Sequence, residues 1–221
     1  MTLFKDRTDA GQALAAELSG KGYQDPVILA LPRGGVPVAA EVARALNAPM
    51  DLIMVRKIGA PEQPELAVAA VVNGSEPKIV TNREIARSFG LAAADIKRMS
   101  QPRLEEIRRR RDVYLKGRKQ VPLRGRTAIV VDDGIATGAT VRASLRAVRA
   151  RKPARLVLAV PVAPRDVAES LRDEVDELIC LKMPFPFGSI GRFYSDFSQT
   201  SDGEVVRLLD AAAKAASAET P

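Results

Sequence analysis

Apolar residues in this chain fall in short, mostly unbroken runs separated by amphipathic stretches. Residues 26–31, 50–55, 128–131, 156–160 and 175–181 read as short core strands, because apolar residues follow one another there instead of alternating with polar ones. Helical periods lie between them. Residues 8–20 form one, with Thr8 or Asp9 as its cap and Gly20 or Gly22 as its stop. Others cover residues 36–46, 141–150 and 165–172, and a capped helix runs from Asp202 onward, with residues 216–221 expected to fray. Strands alternating with helices predict an α/β fold, a parallel twisted sheet flanked by helices, with its ligands beyond the carboxyl ends of the strands. Residues 66–72 and 78–81 read as two further strands. The Asn73-Gly74 step between them is a hairpin signal, so a small antiparallel flap or sheet edge is expected. Residues 58–65 carry a glycine and two prolines without an apolar period, which predicts an exposed loop.

Residues 83–119 differ in character. They are polar, helical over 83–89 and 92–115, and basic. From Arg83 to Arg126 there are fourteen Lys and Arg against five Asp and Glu, a net of +9 in a chain whose net charge is +7. A helix charged on all sides is a solvated strut, a partner face, an anion-attracting cover or an RNA-binding face. Glu105 and Glu106 stand four residues before Arg109 and Arg110, in pairing register. Few aromatic residues interleave with the charges, which weighs against stacking on single-stranded nucleic acid.

A chain of 221 residues is expected to form one domain, residues 1–221, with 83–119 as a helical basic insertion and 183–200 as a small aromatic hood. There is no histidine, so histidine bases, triads and metal sites are excluded. The single cysteine, Cys180, permits no disulfide within the chain and reads as a buried small hydrophobe. No apolar run approaches a membrane span, and the first residues lack a signal-peptide core, so the expected location is the cytoplasm.

The most informative stretch is 128–140. Four apolar residues lead into Asp132 and Asp133, then into a loop of small residues from Gly134 to Thr140, then into a helix. A helix N-terminus offers unpaired N–H groups and partial positive charge to a phosphate. Gly138 and Ala139 allow close backbone approach, and Thr137 and Thr140 add hydroxyl donors. Two carboxylates would repel a bare phosphate. They suit a ligand that also carries a vicinal diol or a divalent cation, such as a ribose 5-phosphate. The simpler alternative is an ordinary strand-to-helix turn with an Asp cap. A second strand–glycine loop–helix unit places Arg33 beside Gly34 and Gly35, one cation with two exposed N–H groups.

The run Val130-Val131-Asp132-Asp133-Gly134-Ile135-Ala136-Thr137-Gly138-Ala139-Thr140 resembles the 5-phosphoribosyl pyrophosphate (PRPP) signature of type I phosphoribosyltransferases. The resemblance extends over about residues 26–197. It implies the type I phosphoribosyltransferase fold and transfer of ribose 5-phosphate from PRPP to a nucleobase or similar small acceptor, with release of pyrophosphate. It further implies that Asp132 and Asp133 hold the ribose hydroxyls, and Mg²⁺ indirectly through them or through water. Gly134, Ala136, Thr137, Gly138, Ala139 and Thr140 would hold the 5′-phosphate. Arg33, Gly34 and Gly35 would hold the pyrophosphate in a loop that often contains a cis peptide. Arg56 and Lys57 look like cationic partners of the leaving group at the start of a mobile loop, the simpler alternative being two solvated charges at a strand end.

Members acting on hypoxanthine or guanine carry an Asp where this chain has Ala136, which favours adenine, a pyrimidine or another acceptor. The Leu-Pro-Arg-Gly-Gly and Val-Arg-Lys-Ile-Gly runs are similar to those of bacterial phosphoribosyltransferase-like proteins of undefined acceptor. Phe193, Tyr194 and Phe197 lie in a loop holding four of the six phenylalanines. They are candidates for stacking on a flat acceptor, or for a satellite core that pins the last helix. A regulator that senses PRPP and binds nucleic acid with the same fold is the alternative class. A dinucleotide enzyme or P-loop kinase is disfavoured, since neither glycine motif is present. The choice between monomer and homodimer stays open.

Overall fold

Five of the apolar runs hydrogen-bond side by side as one parallel sheet. The computed structural model describes residues 2–73 and 78–217. The strands β1 (Pro26–Ala30), β2 (Met50–Leu52), β6 (Thr127–Val131), β7 (Arg155–Val162) and β8 (Glu177–Lys182) lie in the order β2-β1-β6-β7-β8. All four pairings are parallel. From β1 the chain turns to one side to make β2, and the later strands add on the other side. The strand order therefore reverses between β1 and β6, which is where an open parallel sheet leaves a crevice for ligands.

Residues alternate across each central strand, so both faces must be covered. Ile28, Ala30, Ile129, Val131, Val157 and Ala159 face α1 (Arg7–Ser19), α2 (Gly35–Ala45) and α7 (Asp202–Ser217). Val27, Leu29, Ala128, Val130, Leu156 and Leu158 face α5 (Ala139–Arg149) and α6 (Arg165–Leu171). The cap of α1 is Asp6, whose side chain accepts from the Asp9 N–H at 2.9 Å, so neither Thr8 nor Asp9 caps it; Gly20 ends the helix as expected. Cys180 is only half-buried, because β8 is an edge strand.

A second, three-stranded antiparallel sheet departs from the sequence reading. The second core strand stops at Leu52. Val55–Ala60 forms β3, paired with β4 (Gln63–Val72), which pairs in turn with β5 (Lys78–Thr81). The predicted exposed loop at 58–65 is therefore mostly a hairpin. The pairing slips at Ile58, Gly59 and Ala60, and such an irregularity hides the alternation by which a strand is recognised. Asn73 is buried and not at an exposed turn. Its amide donates to the Leu52 carbonyl at 2.9 Å and its carbonyl accepts from the Met54 N–H at 2.6 Å, which ties the small sheet to the large one. Residues 74–77 of the expected turn and the last residues, 218–221, lie outside the described residues.

The basic helices α3 (Arg83–Ser88) and α4 (Ala93–Leu115) cover the small sheet. The helix α4 is not charged on all sides. Ile96, Leu104 and Ile107 pack on Ile58, Val68 and Val71, while Tyr114 and Leu115 reach the main core. Its arginines occupy the remaining faces. No helix among the described residues is long and apolar enough to cross a membrane.

Ile107 is fully buried and Arg108 beside it is exposed. Ile107→Ala should cost about 2–5 kcal/mol in urea denaturation, whereas Arg108→Ala should stay within about 0.5 kcal/mol. Equal costs would mean that α4 has no core face.

Candidate active site

The two loops singled out by the sequence meet at the switch point. Leu31 N–H donates to the Val131 carbonyl at 3.0 Å, so the ends of β1 and β6 are level. The Arg33–Gly35 turn then lies directly against the carboxylate pair. A Cβ on Gly34 would sit 2.0 Å from Oδ2 of Asp133, and one on Gly35 would sit 2.8 Å from the Cα of Asp132. Only glycine allows the backbone this close. The Pro32–Arg33 peptide is cis.

Beyond the carboxylates, Gly138 adopts φ +76°, the left-handed region, and starts α5. No side chain caps this helix, so its first N–H groups stay open to a ligand. Ala136, Thr137 and Thr140 are exposed beside them, Gly138 is buried, and Ala139 is half-buried. This is the geometry of an anion cradle.

The carboxylates themselves are costly to hold. Asp133 is buried and Asp132 half-buried. Burial, and then the neighbouring Asp133, push the Asp132 carboxyl well above the usual carboxylate range. Burial also raises Asp133, but the Arg7 guanidinium opposes it, with Nε donating to Oδ2 at 2.7 Å. The Asp133 N–H donates to Oδ1 of Asp132 at 2.9 Å, and the Tyr194 hydroxyl donates to the Asp133 carbonyl at 2.6 Å.

Arg7 is a site residue that sequence reasoning missed. It also donates to the Ser198 carbonyl at 2.7 Å and lies 3.9 Å over the Phe197 ring. The available signal was a cation in the first turn of a helix, where the dipole disfavours it and a tertiary anion must compensate.

For two residues of the hood the structure decides between the two readings, and a third, Arg56, departs from its expected place. Phe193 and Tyr194 are buried among Phe4, Phe187 and Phe197, so their rings form a satellite core instead of an open stacking surface. The ring that the loop exposes is Phe185, at 98%. Arg56 sits within β3, not at the end of a core strand, and its Nε donates to Glu106 of α4 at 2.9 Å. Among the described residues, no hydrogen bond or ion pair joins Arg56 to Arg33, Asp132 or Asp133. Lys57 follows it in the same strand, opposite Ala70. Arg33, Gly34, Gly35, Asp132, Asp133 and the 134–140 loop are thus brought together, and Arg56 is drawn to the basic helix.

Comparison with known proteins bears on the family of the chain. A family model described as the phosphoribosyl transferase domain matches residues 4–191. A Mycobacterium tuberculosis H37Rv protein, provisionally named a phosphoribosyl transferase, is 47% identical over 215 residues. The alignment covers 96% of this chain and 47% of that protein, and a second strain of the same species carries a relative with the same figures. The chain thus spans about half the length of the curated relatives it matches. The crystal structure of TT1426 from Thermus thermophilus superposes with a TM-score of 0.86 at 38% identity, covering 94% of this chain and 98% of that one.

The raised carboxyls make stability depend on pH. A native pKa above the unfolded value, about 3.9 for Asp, means that stability falls as pH rises from there through the native pKa. Asp132→Asn removes that loss and keeps an acceptor for the Asp133 N–H. It should raise ligand-free stability at pH 7 by about 1 kcal/mol, with the gain shrinking toward pH 4. Thermal melts across that range check this; a variant less stable than wild type at pH 7 would show that Asp132 is not under strain.

Proposed function

The chain belongs to the phosphoribosyl transferase domain family, and from that premise we propose that it transfers ribose 5-phosphate from PRPP to a small acceptor and releases pyrophosphate. The observation that carries this reading is the packing of the Gly34–Gly35 backbone against the Asp132–Asp133 pair, with the uncapped start of α5 beyond.

Each part of the donor then has a place. The two carboxylates accept hydrogen bonds from the ribose hydroxyls. The first N–H groups of α5, with Thr137 and Thr140, take the 5′-phosphate. The Arg33–Gly35 turn faces the pyrophosphate. With both ends of the ribose gripped, C1′ is held in line between leaving group and acceptor, so most of the rate gain comes from positioning. The C1′–O bond to pyrophosphate breaks and its electron pair leaves with pyrophosphate. A lone pair of the acceptor forms the new bond to C1′, and the acceptor's proton passes to solvent. N–H groups aimed at the departing oxygens stabilise the charge that develops.

Mg²⁺ fits this site as a substrate-borne ion. Among the described residues no cluster of three His, Cys, Asp or Glu forms a dedicated cage, and an ion that keeps water and phosphate oxygens needs only one or two carboxylates. Bound with the donor, it would supply positive charge against the pyrophosphate. It would also offset the repulsion from Asp133, which adds to burial in raising Asp132.

The acceptor is the open part of the reading. Ala136 provides no carboxylate for a base proton, which favours adenine, a pyrimidine or another acceptor over hypoxanthine and guanine. Phe185, being exposed, is the aromatic surface on offer in the hood.

Calorimetric titration with PRPP, with and without Mg²⁺, tests the proposal. Wild type should bind in a Mg²⁺-dependent manner, and Asp132→Asn with Asp133→Asn should weaken binding about 100-fold or more, roughly 2.7 kcal/mol. Equal affinity in the double variant, or no binding at millimolar PRPP, would overturn it and direct attention to nucleic-acid binding by the basic helices. A separate variant, Gly34→Ala, should keep the fold and lose at least about ten-fold in PRPP affinity, because its methyl group displaces Asp133.

A further inference from the structure

The Arg33 turn has two sides. Its glycine backbone packs against the carboxylates, whereas the Arg33 guanidinium pairs with Asp202 at the start of α7. There it lines a cavity of about 190 Å³ with Arg109, Arg110, Val113, Tyr114 and Asp202. Residues 109 and 113, and 110 and 114, are each four apart, so α4 presents them on one face.

The polar groups of this cavity are arranged around an excess of positive charge. Three guanidinium groups meet one carboxylate. Oδ1 of Asp202 accepts from the Tyr114 hydroxyl at 2.6 Å and from Arg33 at 3.3 Å. The Tyr114 hydroxyl and Arg33 hold the Asp202 carboxyl below its usual range, so it stays charged and fixes both partners. Arg110 pairs through one terminal nitrogen with Glu106 at 3.1 Å, but its Nε is buried with no hydrogen-bond partner among the described residues. Arg109 has no acidic partner within 4.0 Å among the described residues. A buried guanidinium N–H left unpaired is expensive, and two forked donors beside a third call for an acceptor with several oxygens.

We infer that this cavity is a binding site for a phosphoryl anion, in which the basic helix α4 supplies Arg109 and Arg110 opposite Arg33. The anion is either the pyrophosphate end of the donor or free pyrophosphate or phosphate; the first source rests on the function proposed above. In either case α4 is part of the anion-binding machinery and not a solvated strut.

The test is titration of the full chain with inorganic pyrophosphate, inorganic phosphate and PRPP. The variants are Arg109→Gln with Arg110→Gln, a control of equal charge with Arg98→Gln and Arg108→Gln, and Asp132→Asn with Asp133→Asn. Pyrophosphate affinity should fall about ten-fold or more in the first variant and less than about two-fold in the control. It should be retained in the Asp variant. If PRPP weakens in parallel, the anion is the donor's pyrophosphate; if only free pyrophosphate or phosphate weakens, it is a separate anion. The inference is overturned if the first variant binds within about two-fold of wild type, if the control loses as much, or if wild type binds no pyrophosphate at millimolar concentration. Binding of pyrophosphate without binding of PRPP would leave the inference standing and sink the proposed function instead.

Discussion

Two adjacent carboxylates, one buried and one half-buried, at the end of β6 are the constraint around which this molecule is built. Adjacent like charges in a poorly hydrated place cost free energy unless something opposes them. The opposing group, Arg7, comes from the first turn of α1. It is positioned in turn by the Ser198 carbonyl and the Phe197 ring. The N-terminal helix, the central signature and the aromatic loop are thus tied together by one ion pair. The satellite core of Phe4, Phe193 and Tyr194 makes physical sense as the support for that arrangement, since the Tyr194 hydroxyl also fixes the Asp133 carbonyl.

A second electrostatic chain runs along α4. Glu106 accepts from Arg56 at 2.9 Å and lies 3.1 Å from Arg110 and 3.6 Å from Arg103. Through Arg110 this cluster borders the Arg33 cavity. The small sheet, the basic helix and the β1 turn are therefore electrostatically continuous, although they are far apart in sequence. Pairs with this degree of exposure contribute modestly to stability. Their effect is to orient guanidinium groups.

The parallel sheet was legible because a strand covered on both faces must be apolar throughout, a property of five or six consecutive residues. The carboxylates, the glycine turn and the α5 cradle were legible for the same reason: each is a local pattern with a local purpose. Arg7 was not, because its partner lies 126 residues away. The strand β3 was missed because its register slips at Gly59 and its pairing partner follows a turn without a clear signal. In α4 the apolar positions 96, 104 and 107 were present, but the density of charge between them concealed the stripe. Which phenylalanine of the hood faces outward depends on the path of the loop, so Phe185 could not be told from Phe193 by composition.

The bonds from Arg7 to Asp133 and to Ser198 span 126 and 191 residues. Contacts that close loops this long form late, after the entropy of closing them has been met by the rest of the fold. On a ribosome the N-terminal helix emerges long before either partner exists. The nascent chain therefore carries a guanidinium that waits first for Asp133 and then for the Ser198 carbonyl and the Phe197 ring that position it, and the site becomes whole only as the hood is synthesised.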